Sequence, residues 1–163
     1  MSGNVVEGRH VMMDMPEKKT VALTGEAQVA RTKKILIIDD DPFVTEVLSR
    51  YITKNGYPVE TARSAAGAIR KLEQEDFWAI FCDLTMSGLN GFELYTSISA
   101  RKGRPFSRFV MITGAIPDDT MLEQIKEENI LLCRKPFSHT DIARVFSHLA
   151  ETDPVAEHQQ SKN

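Results

Sequence analysis

Short apolar runs alternate along this chain with longer stretches in which apolar residues recur every three or four positions. The runs are Ile35–Ile38, a weaker one at Tyr57–Ala62, Phe77–Cys82, Phe109–Ile112 and Ile130–Cys133. Each has the length of a strand that is buried on both faces. The alternation predicts an α/β fold with three layers, in which a five-stranded parallel sheet carries five helices on its two faces.

The five intervening stretches have the spacing of amphipathic helices. Their apolar stripes are Phe43–Ile52, Ala65–Leu72, Phe92–Ile98, Met121–Ile125 and Ile142–Leu149. Boundary signals agree with this assignment, because Asp41 before Pro42 and Ser64 predict N-caps. The pair Asn55-Gly56 predicts the end of the first helix.

The two ends of the chain lack any sustained apolar period. Polar residues and turn formers predict a flexible N-terminal arm at 1–32, with a short helix around Gly25–Arg31. The C-terminal 151–163 is predicted to be a flexible tail. One folded domain is therefore expected at 33–150.

Composition narrows the function classes. The 163 residues are 42% hydrophobic, and the net charge of −3 argues against a nucleic-acid surface, which needs a basic stripe. No apolar run is long enough to span a membrane and no secretion signal is evident, so a cytoplasmic protein is expected. Cys82 and Cys133 lie inside apolar runs and are expected to be buried free thiols.

Polar residues stand where four of the predicted strands end. Asp39–Asp41 follow the first strand, Asp83 the third, Thr113 the fourth and Lys135 the fifth. Binding sites of open parallel sheets lie at this edge. Clustered carboxylates suit Mg²⁺, which prefers oxygen ligands, while a hydroxyl and an ammonium can hold phosphoryl oxygens.

Each of these residues also has an ordinary structural interpretation when it is taken alone. Asp41 is best explained as the N-cap of the first helix. The other interpretations are a cap or loop acid for Asp39 and Asp40, a turn acid for Asp83, a backbone-bonded hydroxyl for Thr113 and a solvated cation for Lys135. Their joint placement at four strand ends favours a common site.

Four segments together resemble the receiver domain of two-component response regulators. They are "ILIIDDDPFV", "AIFCDLTMSGLNGFEL", "FVMITGA" and "CRKPF", in the order and spacing of that family, over about Lys33–Ala150. The resemblance implies a flavodoxin-like fold with strand order 2-1-3-4-5. It also implies that Asp83 accepts a phosphoryl group from the phosphohistidine of a sensor kinase or a histidine phosphotransfer protein.

The resemblance also implies the roles of the remaining site residues. Asp39, Asp40, Asp83 and the backbone carbonyl of Thr85 would hold Mg²⁺, while the Thr113 hydroxyl and the Lys135 ammonium would contact the phosphoryl oxygens. The Lys135-Pro136 bond is often cis in the family. The face formed by the fourth helix, fifth strand and fifth helix would then switch a downstream protein target.

The implied protein is a signalling domain and not an enzyme. Its expected partners are proteins, and neither nucleic acid nor a membrane is expected. A homodimer is an open alternative. The stretch after Ala150 is too short for an output module, so a single-domain regulator or the receiver of a hybrid kinase is expected.

The chain departs from the family pattern at a few positions. Ser87 stands where proline is usual, which predicts a more mobile loop after Asp83. Leu132 replaces the usual aromatic residue of the fifth strand, which predicts a weaker or different switch. Ala115 and Thr85 offer no acid or amide to orient a hydrolytic water, which predicts slow self-dephosphorylation.

Two rival functions belong to other classes. A phosphatase of the haloacid-dehalogenase type would need a second acid two residues after its nucleophile, and Asp83-Leu84-Thr85 lacks one. A receiver-like scaffold that binds without phosphorylation is the other. Phosphorylation by acetyl phosphate separates this scaffold from an intact receiver.

Overall fold

The computed structural model describes residues 33–103 and 106–151. The predicted arm at 1–32, with its short helix, lies outside the described residues, and so does the predicted tail from 152 onward. Within the described ranges, no helix is both long and apolar enough to cross a bilayer.

Strands and helices alternate through the described chain as the apolar pattern predicts. The strands are β1 (Ile35–Ile38), β2 (Val59–Ala62), β3 (Ala79–Asp83), β4 (Phe109–Thr113) and β5 (Leu131–Arg134). The helices are α1 (Pro42–Lys54), α2 (Ala65–Gln74), α3 (Gly91–Lys102), α4 (Asp119–Glu127) and α5 (His139–Glu151). All strand pairs are parallel, and their order β2-β1-β3-β4-β5 confirms the expected topology.

Helix boundaries are set by side chains that satisfy exposed backbone donors. The Asp41 carboxylate accepts a hydrogen bond from the Phe43 N–H at 2.8 Å, with Pro42 in the first helical position. The Ser64 hydroxyl accepts from the Gly67 N–H at 3.1 Å and begins α2. Asn55 ends α1 as predicted. These contacts confirm the predicted caps, and Asp41 therefore acts in helix capping.

The core lies on both faces of the sheet. Ile35 and Ile37 pack on one side with α1 and α5, whereas Leu36 and Ile38 pack on the other side with α3. All four side chains of β1 are fully buried, which explains its unbroken apolar sequence. Cys82 and Cys133 are buried free thiols, as expected. Burial raises the pKa of both, so neither is poised as a nucleophile.

An ion-pair network on the edge strand was not apparent from the sequence. Glu60 of β2 accepts hydrogen bonds from Lys71 at 2.6 Å and from Lys34 at 3.0 Å, and Lys34 also pairs with Glu75. The hydrogen bond from Lys71, and to a smaller extent the one from Lys34, lowers the pKa of Glu60 from 4.5 to about 2. The network joins the entry to β1, the edge strand and α2.

We expect Glu60→Gln to lower the free energy of unfolding by about 1 kcal/mol at pH 7, as for a well-placed surface pair. Because the folded pKa lies below the ordinary one, this stabilisation is present above pH 4.5 and is lost as the pH falls towards 2. Urea unfolding across that range measures the loss. Glu46→Gln, in an exposed pair with Arg50, is the control and should show a smaller effect. A Glu60→Gln difference that stayed constant down to pH 2 would refute the assignment.

Candidate functional site

The register of the sheet brings the predicted site residues together at its carboxyl edge. Ile38 lies opposite Cys82, so Asp39 and Asp83 follow side by side on neighbouring strands. On the other side, the Lys135 N–H donates to the Thr113 carbonyl at 2.7 Å, which places Lys135 beside the end of β4. Asp39, Asp83 and Thr113 are all buried. The predicted convergence of these strand ends is therefore observed.

Three carboxylates form the acidic part of the site. Asp39, Asp40 and Asp83 each offer an oxygen, and these oxygens lie within 4.8 Å of one another. Asp39 is fully buried, and its Oδ1 accepts the Asp41 N–H at 2.9 Å. Two unit charges about 4 Å apart repel by roughly 4 kcal/mol at an effective dielectric of 20. A cation is needed to offset this repulsion.

Lys135 supplies a positive charge between two of the acids. Its Nζ donates to Asp39 Oδ2 and to Asp83 Oδ1, at 2.9 Å in each case. Burial raises the pKa of Asp83, and the bond from Lys135 offsets this only in part. Burial by itself would lower the pKa of Lys135, but the bonds to Asp39 and Asp83 outweigh it and raise that pKa. The Lys135-Pro136 bond is cis, as the resemblance implies.

Asp40 is turned towards the loop between β3 and α3. Its Oδ2 accepts hydrogen bonds from the Ser87 hydroxyl at 3.1 Å and from the Ser87 N–H at 3.3 Å. The backbone and hydroxyl bonds from Ser87 hold the pKa of Asp40 below its ordinary value of 3.8. The sequence predicted a more mobile loop at Ser87, whereas these bonds tie the loop to Asp40.

The hydroxyl of Thr113 is engaged within its own loop. It donates to the Ala115 carbonyl at 2.7 Å and accepts from the Ala115 N–H at 3.2 Å. This is the backbone-bonded arrangement that was one interpretation of Thr113 alone. Thr85, the predicted carbonyl ligand, is exposed in the loop that follows Asp83.

Gly91 packs against the backbone of Asp83 and Leu84, a contact that the sequence pattern does not predict. A Cβ at this position would lie 2.5 Å from the Asp83 carbonyl oxygen and 3.0 Å from the Leu84 Cα. The Gly91 N–H also donates to the Leu84 carbonyl at 2.9 Å. A capping box of Asn90 and Glu93 begins α3 here. The helix thus starts against the backbone of Asp83, an approach that only glycine permits.

The fold and the site together define a doubly wound α/β protein with a lysine-bridged acidic pocket at the carboxyl edge of its sheet. Comparison with protein families gives a match to the response regulator receiver domain over residues 35–147. The chain therefore belongs to the response regulator receiver domain family. Its place in two-component signalling follows from that membership.

Individual relatives agree with the family. The chain is 35% identical over 86 residues to the transcriptional regulatory protein GlrR of Escherichia coli (strain K12), covering 52% of this chain and 19% of that protein. It is 30% identical over 120 residues to the nitrogen assimilation regulatory protein NtrX of Azorhizobium caulinodans, covering 72% of this chain and 26% of that protein. The match to these relatives thus spans about a quarter of their length or less.

Solved structures confirm the fold. The chemotaxis protein CheY4 of Vibrio cholerae superposes with a TM-score of 0.65 at 23% identity, over 72% of this chain and 98% of that one. A receiver domain protein from Methanospirillum hungatei JF-1 gives a TM-score of 0.63 at 25% identity, over 73% and 94% of the two chains. Both likenesses extend over most of the part of the chain that the structure describes.

Proposed function

We propose that Asp83 is the phosphoryl acceptor of this receiver, and that the donor is a phosphohistidine of a sensor kinase or a histidine phosphotransfer protein. The observation that carries the proposal is the pair of 2.9 Å bonds from Lys135 to Asp39 and Asp83. These bonds place a fixed cation against the carboxylate that would attack. The domain that does this is proposed to span 33–150 and to act as a cytoplasmic signalling module, not as an enzyme.

The acidic pocket fits a magnesium ion by the chemistry of its donors. Asp39, Asp40 and Asp83 offer only oxygen atoms, and a small group of such atoms within 4.8 Å suits a hard divalent cation. We propose that these three carboxylates and the Thr85 carbonyl hold the ion. When bound, Mg²⁺ would supply positive charge to neutralise the oxygens of the transferring phosphoryl group.

The chain's own residues perform the transfer by position and charge. A carboxylate oxygen of Asp83 forms a bond to phosphorus as the bond from phosphorus to the imidazole nitrogen breaks, and the electron pair leaves with the imidazole. Lys135 already donates to Asp83 Oδ1 at 2.9 Å, so its ammonium would neutralise charge on the incoming phosphoryl oxygens with little further ordering. The product is an acyl phosphate on Asp83.

The output is proposed to pass through the loop between β4 and α4. The Thr113 hydroxyl would leave its bonds to Ala115 and donate to a phosphoryl oxygen, which shifts the population of this loop and of the α4-β5-α5 face. Leu132 is a half-buried aliphatic residue in β5 and cannot supply a swinging ring. The switch therefore depends on backbone movement, and we expect beryllofluoride with Mg²⁺ to shift the NMR signals of α4 and α5 amides only partly.

The phosphodonor is proposed to dock on an apolar rim around the site. Phe43, Leu89 and Ile116 are 71%, 40% and 71% exposed, and they are the large exposed hydrophobic residues of the described chain. They lie on the segments that follow β1, β3 and β4, the strands that end in Ile38, Asp83 and Thr113. A protein partner that reaches Asp83 would bury them. The proposed partners are proteins, and nucleic acid and membranes are not among them. A second copy of this chain is also compatible with the proposal.

Incubation with acetyl phosphate and Mg²⁺ tests the acceptor directly. Intact-mass measurement should show the gain of one phosphoryl group, no gain for Asp83→Asn, and no gain in EDTA. Asp119→Asn, which removes an acid at the start of α4, should be phosphorylated as the wild type is. An unmodified wild type would favour a binding scaffold, and turnover of a phosphate ester would favour a phosphatase.

Magnesium should also stabilise the protein in the absence of any phosphodonor. At a Mg²⁺ concentration ten times its Kd, binding adds about 1.4 kcal/mol, which corresponds to a rise in Tm of roughly 3–11 °C. Differential scanning calorimetry in EDTA and in millimolar MgCl₂, at matched ionic strength, measures the rise. Asp39→Asn should lose most of it. An equal rise in that variant would place the ion elsewhere.

A further inference from the structure

Ser87 contributes two donors to one oxygen of the acidic pocket. Its hydroxyl lies 3.1 Å and its N–H lies 3.3 Å from Asp40 Oδ2, although the two residues are far apart in sequence. Proline, the usual residue at this position in the family that the sequence resembles, has neither an N–H nor a hydroxyl. This link is therefore a property of the residue that this chain carries.

The link sets the orientation of the Asp40 carboxylate. A carboxylate has about four lone-pair sites, two on each oxygen. The two donors of Ser87 occupy both lone-pair sites of Asp40 Oδ2. A cation in the pocket is therefore directed to Asp40 Oδ1. Because the ligand oxygen is selected before the ion arrives, less side-chain freedom is lost on binding.

The same link fixes the loop that carries Thr85, the residue proposed as a carbonyl ligand. In this loop Met86 is buried, whereas Thr85 before it and Gly88 two residues after it are exposed. Gly88 has a left-handed φ of +93°. Met86 anchors the loop in the core. Ser87, the residue after Met86, is bonded to Asp40 of the pocket. The loop is therefore held at two successive positions.

We propose that Ser87 is a positioning residue for the divalent cation, which orients Asp40 and holds the Thr85 loop against the pocket. The proposal rests on the proposed function, because it requires that the pocket hold Mg²⁺. Partners that orient ligating carboxylates affect metal affinity by about 10–100-fold. Removal of the hydroxyl alone leaves the backbone donor in place, so a smaller change is expected for that substitution.

Isothermal titration calorimetry with MgCl₂ on the whole chain tests the proposal without any phosphodonor. We expect Ser87→Ala to raise the Kd for Mg²⁺ by about 3–10-fold, since one of two hydrogen bonds to a charged group is lost. Ser87→Thr keeps both donors and should bind within about twofold of the wild type. Ser87→Pro loses both donors and should bind at least as weakly as Ser87→Ala.

The control is Ser147→Ala, which removes an exposed hydroxyl that bonds to the Ala143 carbonyl in α5. Its Kd for Mg²⁺ should match that of the wild type. Thermal unfolding in EDTA should show that Ser87→Ala folds normally, so a change in Kd cannot be ascribed to unfolding.

Two failures can be told apart. An unchanged or tighter Kd in Ser87→Ala, with normal binding by the wild type, would overturn the positioning role and leave the magnesium site intact. A wild type that gives no heat of Mg²⁺ binding and no Mg²⁺-dependent change in Tm would overturn the proposed metal site, and the role of Ser87 with it.

Discussion

Gly91→Ala is expected to lower the free energy of unfolding by about 3 kcal/mol, at the upper end of the range for overpacking. The added Cβ would lie 2.5 Å from the Asp83 carbonyl oxygen and 3.0 Å from the Leu84 Cα. Both are backbone atoms of the β3 end, which cannot rotate away as the tip of a side chain can. The gain in helix propensity from alanine is at most about 1 kcal/mol and does not compensate.

Guanidinium unfolding of wild type and Gly91→Ala measures this loss. Gly114→Ala is the matched control, because its added Cβ would lie 4.0 Å from the Lys135 Cδ, which is an ordinary van der Waals contact. We expect that control to change stability by less than about 1 kcal/mol. Equal losses in the two variants would contradict the explanation that the close approach of α3 to the Asp83 backbone causes the loss in Gly91→Ala.

Lys135→Met is expected to lower the free energy of unfolding in Mg²⁺-free buffer at pH 7 by about 2–3 kcal/mol. Breaking a buried pair by removing one partner typically costs about 3–5 kcal/mol, and the 22% exposure of the Lys135 side chain reduces that figure. The loss arises because two carboxylates, Asp39 and Asp83, stay buried without their cation. Millimolar Mg²⁺ should restore part of the stability.

The loss in Lys135→Met should depend on pH in a defined direction. Burial already raises the pKa of Asp83 above 3.8, and removal of Lys135 removes the interaction that opposes this. A carboxyl with a raised folded pKa favours folding below its ordinary pKa and loses this contribution as the pH rises through the folded value. The deficit of the variant should therefore grow between pH 4 and pH 7 and shrink when Asp83→Asn is added.

Lys102→Met is the control for the loss of a lysine. Lys102 pairs with Asp76 at 2.8 Å, but Asp76 is 92% exposed, so water solvates the acid when its partner is removed. We expect a change of at most about 1 kcal/mol. A deficit of similar size in both lysine variants would argue against uncompensated buried charge at Lys135.

The strands and the acidic pocket could be predicted because both follow from local pattern. Buried parallel strands read as continuous apolar runs, and the residues after them must lie at one edge of the sheet. This rule predicts that edge for Asp39, Asp83, Thr113 and Lys135, and the structure brings them there. The bounds of the strands differ from those of the apolar runs by up to two residues. Tyr57, assigned to β2, lies outside it and stacks on Phe146.

The parts that could not be predicted depend on how distant segments approach. Ser87 meets Asp40 because of the path of the β3–α3 loop, which no periodicity encodes. Gly91 follows Asn90 and reads as an ordinary turn glycine, whereas its real constraint is the Asp83 backbone beneath it. The bond from Tyr95 to Glu128, which links α3 to the end of α4, is of the same tertiary kind.

The pairing of β1 with β3 has a consequence for variation among receivers. Asp39 and Asp83 are neighbours because Ile38 lies opposite Cys82, and the spacing of adjacent strands is about 4.8 Å whatever the connecting segments are. The acidic pair is thus encoded in the hydrogen-bond ladder. Chimeras that exchange the α4 and α5 surfaces between receivers should keep this acid geometry while acquiring the binding preferences of the donor parent.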